Sequence, residues 1–565
     1  MAVLGKRTIV LLLGVLVLLS LGLRYPTVEH ERYQTDSYFI HTLSQSIIEK
    51  DQAPWIFNPL SYFGLYPYSY PSGVPFLLAE VSMMTGLSLE VSILFLDFIL
   101  AISFCLGVFI LARNFLTRPE YAILATAFAV TASRFVDTTY WNGSARGAFV
   151  VLVVLIVFAA FRSSQLRQRS LLIVTALLLF ACFTAHHMAV LLILFAAAYV
   201  VAVFQTRILL RRTSIRRRVA VVIFNFTALL TIIIAAFNYV GFFGNLLINR
   251  ERLSWIPFDI PVLSAFLGVS ISYTAQIGFV IVAALFGIVV VLKDNRLSVE
   301  SLFPLTLVIA MVPLVGNSLY ISMLIAPMVA IMGTIWVASV FRNARKRRLA
   351  VVIIVLLLIS SVLFPIWNVQ RWNDAAYEGG DTVEVDSGVF NDAAYLDFVG
   401  DREFVIFNAN VLALELASNS HTTFFASGVG ATLNGDITAE KVAENLTWSE
   451  ANFPVNLYLW YSYKNDPRFE VCLSGLMIMG LRFVNGTGSF PVVTEYYQSH
   501  PRLFVVIDEN HPDAFVDAYS VRGAMLPSQL RSTTWTDSFG GTQDFSSYVI
   551  YESERTSLYV VELPV

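Results

Sequence analysis

Long apolar runs separated by polar gaps recur from the N-terminus to about residue 368, and they limit the folds open to this chain more than any other feature. Eleven read as spans: 7–23, 88–112, 119–135, 146–162, 169–185, 187–206, 219–240, 271–293, 301–316, 319–341 and 349–368. Crossing the hydrocarbon of a bilayer takes ~20 apolar helical residues. So many runs of this kind cannot surround one water-facing core. The composition agrees, at 57% hydrophobic and 14% charged. The division within 169–206 rests on Thr184-Ala185-His186-His187, a polar break in a stretch too long for one span. Lys6-Arg7 before the first run resembles the start of a signal peptide. The run ends in Leu23-Arg24-Tyr25-Pro26 rather than in a small-x-small cleavage site, so it reads as a retained span.

Charge sets the orientation. With Lys6 and Arg7 inside, the cytoplasmic gaps hold twenty basic residues, the densest set being Arg207, Arg211, Arg212, Arg216, Arg217 and Arg218. The outer gaps and span ends hold seven: Arg24, Arg32, Lys50, Arg134, Arg146, Arg250 and Arg252. This asymmetry places the N-terminus in the cytoplasm, and an odd number of spans places the C-terminus outside. The Arg clusters serve as topology signals, and no nucleic-acid partner is expected. Cys105, Cys182 and Cys472 are scattered, two of them in apolar runs, which excludes a disulfide framework or a cysteine-based metal site.

Two domains are therefore expected. Residues 1–368 form a polytopic α-helical membrane domain with about eleven transmembrane helices and a long first outer loop at 24–87. Residues 369–565 form a soluble extracytoplasmic domain. From residue 370 onward the chain carries 26 of its 40 acidic residues but only 10 of its 37 basic ones. Short apolar runs at Phe404–Phe407, Leu503–Ile507 and Leu558–Val561 predict strands, and 390–399, 437–446 and 472–480 predict helices. The domain reads as mixed α/β.

The outer loops hold the residues that suggest chemistry. After Asp36, Phe39, Ile40, Leu43, Ile47 and Ile48 recur at helical spacing, as in an amphipathic helix at the bilayer surface. An acid in the first turn of such a helix also suits the helix dipole. The aromatic stretch Tyr62 to Gly73 fits interface anchoring or stacking on sugar rings. The second outer loop, Arg134 to Gly147, carries Arg134, Asp137, Tyr140, Trp141 and Arg146. Ionisable residues at this depth are costly unless paired or functional, so Arg134 and Asp137 are either an ion pair or part of a site. His186 and His187 occupy the next outer turn. Asp97 lies inside the second span and needs a partner. Arg250 and Arg252 flank Glu251 in a further outer loop and are placed either to clamp a phosphate or to pair with that acid.

The order of these parts resembles the GT-C class of integral-membrane glycosyltransferases, distantly the oligosaccharyltransferase catalytic subunits and the protein O-mannosyltransferases. Asp36-Ser37-Tyr38-Phe39 resembles the Asp-x-Tyr-Tyr/Phe stretch in the first outer loop of the former. Tyr70-Pro71-Ser72-Gly73 resembles the Tyr-Pro-x-Gly that comes after it, and Ser133 to Thr138 sits where that family has a carboxylate motif. The likeness covers roughly residues 1–205. Three departures accompany it. No Trp-Trp-Asp-Tyr-Gly occurs in 370–565, Thr139 stands where a second acid is expected, and Ser37 rather than Glu follows Asp36.

The resemblance implies a donor sugar on a polyprenyl or dolichyl phosphate or pyrophosphate, transferred to a glycan, lipid or protein acceptor at the outer face of the bilayer. It assigns Asp36 as general base. Arg134, Asp137, Arg146, His186, His187, Arg250 and Arg252 become candidates for binding substrate. Asp36 and Asp137 become candidate ligands for a divalent cation such as Mg or Mn. Two other readings of the same residues are a transporter or lipid flippase with an outer sensor domain, its pathway marked by Asp97 and the histidines, and a non-catalytic membrane scaffold. No inverted repeat relates the two halves, which weighs against a transporter.

Overall fold

The computed structural model describes residues 5–27, several positions between 37 and 48, residues 73–166, 168–209, 217–238, 261–293, 297–311, 314, 318–342 and 347–378, and seven strands between 404 and 562. The chain divides into two compact units. One comprises Met1–Thr27 and Phe95–Trp372, the other Val28–Leu94 and Asn373–Val565.

The regular secondary structure described in the first unit is all helical. It begins with α1 (Lys6–Gly22). A second helix, α2 (Gly73–Thr85), belongs to the other unit, and α3 (Leu89–Phe115) carries the chain back into the first. Next come α4 (Pro119–Val130), the five-residue α5 (Ser133–Asp137), α6 (Ala145–Leu166), α7 (Arg169–Ala185) and α8 (Leu192–Phe204). The remaining helices are α9 (Arg217–Asn238), α10 (Pro261–Ile277), α11 (Val280–Lys293), α12 (Val299–Met311), α13 (Ser318–Arg342) and α14 (Arg347–Glu378).

Among the described residues, five helices are long and apolar enough to cross a membrane, within Leu89–Phe115, Ala145–Leu166, Met188–Arg207, Tyr320–Arg342 and Arg348–Gln370, or six if one bent pair is a single span. The protein is a multi-pass membrane protein. Other expected spans coincide with shorter apolar helices, such as Arg169–Ala185 with 17 residues and Val299–Met311 with 13. At 1.5 Å per residue these reach only ~20–26 Å, so helix length does not establish a count of eleven.

Two expected spans are interrupted. The run 271–293 is not one helix, because the chain bends by 101° between Gly268–Ile277 and Val280–Lys293. Gly278 makes the bend with φ +91°, a backbone angle that costs glycine nothing sterically. The run 119–135 also breaks. Its helix ends at Val130, the Thr131 hydroxyl turns back to donate to the Ala127 carbonyl (2.8 Å), and α5 starts afresh at Ser133. The polar break at 184–187 is real: α7 stops at Ala185, and the chain restarts as a 3-10 turn, His187–Leu191.

Close helix approach sets the core of this unit. A Cβ built on Gly287 of α11 would lie 2.0 Å from the Met332 carbonyl oxygen of α13, and one on Gly333 would lie 2.9 Å from Val280 Cγ2. Small residues of this kind let helices in a bilayer come into backbone contact.

In the other unit, Ser37, Ile40, His41, Ser44 and Ile47 are helical and buried, and the Ser44 hydroxyl donates to the Ile40 carbonyl (2.8 Å). That spacing is one face of a helix, where the sequence places it. The C-terminal strands form a five-stranded mixed sheet. β1 (Phe404–Phe407) runs parallel to both β2 (Phe424–Phe425) and β3 (Arg502–Asp508). β3 pairs antiparallel with β7 (Thr556–Glu562) in the register Val505–Tyr559, and β7 pairs with β6 (Ser546–Glu552). β4 (Thr534–Thr536) and β5 (Thr542–Asp544) form a separate ribbon. The three strands expected from sequence are present as β1, β3 and β7. The helices expected at 390–399, 437–446 and 472–480 lie outside the described residues.

Candidate functional site

The segment from Thr131 to Gly147, between α4 and α6, carries a run of buried polar side chains. Burial here is nearly complete: Arg134 is 8% exposed, Asp137 3%, and Thr138, Thr139 and Asn142 0%. In the short helix α5, Arg134 and Asp137 stand three residues apart and so face the same side. The Arg134 guanidinium donates to the Asp137 carboxylate. This is the ion pair that the sequence left open. The Asp137 charge is thus answered by Arg134.

A second cluster forms around Tyr320. Arg146, in the first turn of α6, places its guanidinium carbon 5.0 Å from the centre of the Tyr320 ring. His186 lies 5.9 Å from that ring and stacks on Phe149 at 5.3 Å. Phe149 is three residues after Arg146, on the same face of α6. His186 Nδ1 accepts the Met188 backbone N–H (3.0 Å), so the neutral imidazole carries its proton on Nε2 and is a donor there. A fixed cation and a neutral donor thus share one aromatic ring, an arrangement suited to an anion. The two clusters are linked through Thr138, whose hydroxyl contacts Met323 Sδ (3.7 Å), one turn after Tyr320 on α13.

A buried charge sits beside them. Arg24, just past α1, is fully buried and donates through Nε to Thr139 Oγ1 (2.6 Å) and through Nη1 to the Ser20 carbonyl (2.8 Å) and hydroxyl (3.1 Å). Its guanidinium also lies 4.9 Å from the centre of the Phe135 ring. Burial pulls the Arg24 pKa down to about 10, and the nearby Asp97 charge opposes the shift, so Arg24 stays protonated at neutral pH. Asp97 in turn accepts the Asn142 backbone N–H (2.7 Å). Asp97 therefore has the partner that an intramembrane carboxylate requires.

Of the residues singled out from sequence, the structure joins Arg134 with Asp137, and Arg146 with His186 through Tyr320. Asp36, Arg250, Arg252 and the His187 side chain lie outside the described residues. Arg24 and Tyr320 were not singled out. A signal existed for Arg24: a basic residue at the end of one span and an acid inside the next should be read together, because buried charges pair. Tyr320 carried no signal, since it reaches Arg146 only through the packing of α13. Among the described residues, no group of three His, Cys, Asp or Glu side chains is close enough to hold a metal ion.

No family model and no curated protein matches the sequence. Solved structures do. The Archaeoglobus fulgidus oligosaccharyltransferase tethered to an acceptor peptide is similar with a TM-score of 0.57 and 12% identity, covering 96% of this chain and 74% of that one. This chain has the oligosaccharyltransferase fold. The archaeal oligosaccharyltransferase AglB in complex with an inhibitory peptide and a dolichol-phosphate gives 0.55 at 10% identity, covering 95% and 74%. The Archaeoglobus fulgidus oligosaccharyltransferase in complex with Zn and sulfate gives 0.55 at 12%, covering 94% and 72%. The GT-C likeness read from the first outer loops is thereby borne out for the fold.

Proposed function

We propose that this protein is a membrane-embedded glycosyltransferase that moves a sugar from a polyprenyl- or dolichyl-linked phosphate or pyrophosphate to an acceptor at the outer face of the bilayer. The observation that carries this reading is the Arg146–Tyr320–His186 cluster on an oligosaccharyltransferase fold. It supplies a cation, fixed over an aromatic face, and a neutral hydrogen-bond donor where a lipid phosphate can bind and leave. That a similar structure holds a dolichol-phosphate supports the donor class.

In this reading Asp36 is the general base. It takes a proton from an acceptor hydroxyl as that oxygen attacks the anomeric carbon. The bond to the lipid phosphate oxygen breaks, and Arg146 and His186 steady the departing charge. Positioned proton transfer contributes ~10²–10⁴-fold. Arg250 and Arg252 are further candidates for the phosphate, and His187 for a hydrogen bond to it. Arg134, held by Asp137, orients its loop. One similar protein was solved with Zn, and Asp36 and Asp137 are the residues of this chain that would hold a divalent cation. The transporter reading loses its main support, because Asp97 is engaged by Asn142 and attracted to Arg24.

The test uses full-length protein in lipid with a polyprenyl-phosphate sugar. Asp36→Asn keeps shape and capping ability but not basicity, so transfer should fall by ~10²-fold or more with donor still bound. Arg146→Gln should weaken donor binding by roughly 10–100-fold, the loss of a charge-assisted hydrogen bond. Asp36→Asn activity within a few-fold of wild type would overturn the base assignment.

A further inference from the structure

The chain leaves the membrane unit at Thr27 on its way to Asp36, and the last residues before that exit are bonded to the second outer loop. Arg24 Nε donates to Thr139 Oγ1 (2.6 Å). The Thr27 backbone N–H donates to Tyr140 Oη (2.9 Å), and the Thr27 and Tyr140 hydroxyls hydrogen-bond at 2.7 Å. Two adjacent residues of one loop thus grip the root of the other, and Thr139 and Tyr140 are both buried.

The next residue, Trp141, has φ +47°, in the left-handed region that a bulky side chain rarely enters. Such a conformation persists only where its surroundings over-determine it. Here Tyr140 is held on one side by Thr27, and the Asn142 N–H on the other by Asp97. The same segment is braced against α6: a Cβ on Gly147 would lie 2.6 Å from Thr139 Cγ2, so the helix carrying Arg146 begins flush against Thr139.

We propose that Thr139 and Tyr140 are positioning residues, a clamp that holds the root of the first outer loop in register with the loop of Arg134 and Asp137 and with Arg146. The proposal rests on the reading of Asp36 as the base. Asp36 comes nine residues after Thr27, an extended reach of about 30 Å. A loosened root therefore widens the volume that Asp36 samples. Misplacing a reacting group by ~1 Å can cost on the order of 10²-fold in rate. Neither clamp residue needs to touch the donor, so its loss should appear in kcat and not in donor affinity.

Tyr140→Phe removes only the hydroxyl. Thr139→Val removes the acceptor of Arg24, and Thr139→Ser restores it. In the transfer assay, Tyr140→Phe and Thr139→Val should each lower kcat about tenfold, with donor Kd changed less than twofold. Thr139→Ser should be near wild type. Spin labels at Gln34→Cys and Val190→Cys, with Cys472→Ser, read the clamp without activity: Tyr140→Phe should broaden their distance distribution. An unchanged distribution in Tyr140→Phe overturns the clamp, even if Thr139→Val fails to fold. So does kcat within twofold of wild type in Tyr140→Phe while Asp36→Asn is inactive, which leaves the base assignment standing. A donor affinity that falls in step with kcat would make these residues part of the donor pocket and would also overturn the clamp. Failure of the base assignment looks different: Asp36→Asn would stay active whatever Tyr140→Phe does to the distances.

Discussion

A single methyl group added at Gly287 should destabilise the membrane unit, whereas the same change at Gly14 should not. At Gly287 the new Cβ would lie 2.0 Å from the Met332 oxygen and 2.7 Å from its carbonyl carbon, where ordinary contact begins at 3.4 Å. The obstacle is backbone and cannot rotate away. Relief from 2.0 to 3.4 Å requires α11 and α13 to part by about 1.4 Å. A gap of ~0.5–1 Å already forfeits a quarter to a half of the dispersion attraction across an interface. Overpacking costs ~1–3 kcal/mol, and a backbone obstacle belongs at the upper end. Alanine's better helix propensity returns ~1 kcal/mol, leaving Gly287→Ala less stable by about 2 kcal/mol. Gly14 has no atom within 4 Å of its would-be Cβ. Only the propensity difference applies there, so Gly14→Ala should gain roughly 0.5–1 kcal/mol. Unfolding in mixed detergent micelles, followed by tryptophan fluorescence, measures both. Donor binding should weaken in Gly287→Ala as well, because α13 carries Tyr320. A Gly287→Ala protein as stable as wild type would refute the backbone contact on which the argument rests.

Arg134→Gln removes the cation from a buried pair and should cost ~3–5 kcal/mol, whereas the paired change Arg134→Met with Asp137→Leu should recover much of that; equal losses in the single and double variants would contradict the pairing. Cys105 and Cys182 are fully buried, so maleimide should reach them only after denaturation, and labelling of either in the native protein would count against the packing. With Cys472→Ser, that protection allows topology to be mapped with introduced cysteines: one near Asn58 should label from outside and one at Arg345 should not, and labelling at Arg345 would reverse the expected orientation. Asn142 lies in an Asn-x-Ser sequence but is 0% exposed, so mass spectrometry should find it unglycosylated, and a glycan there would mean that the loop opens.

The membrane class, the polar break at 184–187 and the resemblance were legible because each depends on local pattern, whereas the break between Val130 and Ser133 was not. Apolar runs reveal helices in a bilayer, the polar stretch at 184–187 ends one, and three short apolar runs become β1, β3 and β7. The bend at Gly278 was hidden in uniformly apolar sequence. A glycine's φ is set by what packs around it, and here Ser361 lies 3.7 Å from its would-be Cβ.

By itself the sequence determined which solvent the chain folds in, that a helix ends at the polar stretch 184–187, and which ionisable side chains had to find partners. Charge and hydropathy act over a few residues and can be read in order. Which partners those side chains found was decided by tertiary structure. Arg24 meets Thr139 across 115 residues, Thr27 meets Tyr140 across 113, and Arg146 meets the Tyr320 ring. Such contacts depend on how far helix backbones can approach. In a bilayer that is set by packing at positions such as Gly147 and Gly287, where the absence of a side chain lets one backbone or side chain close against another.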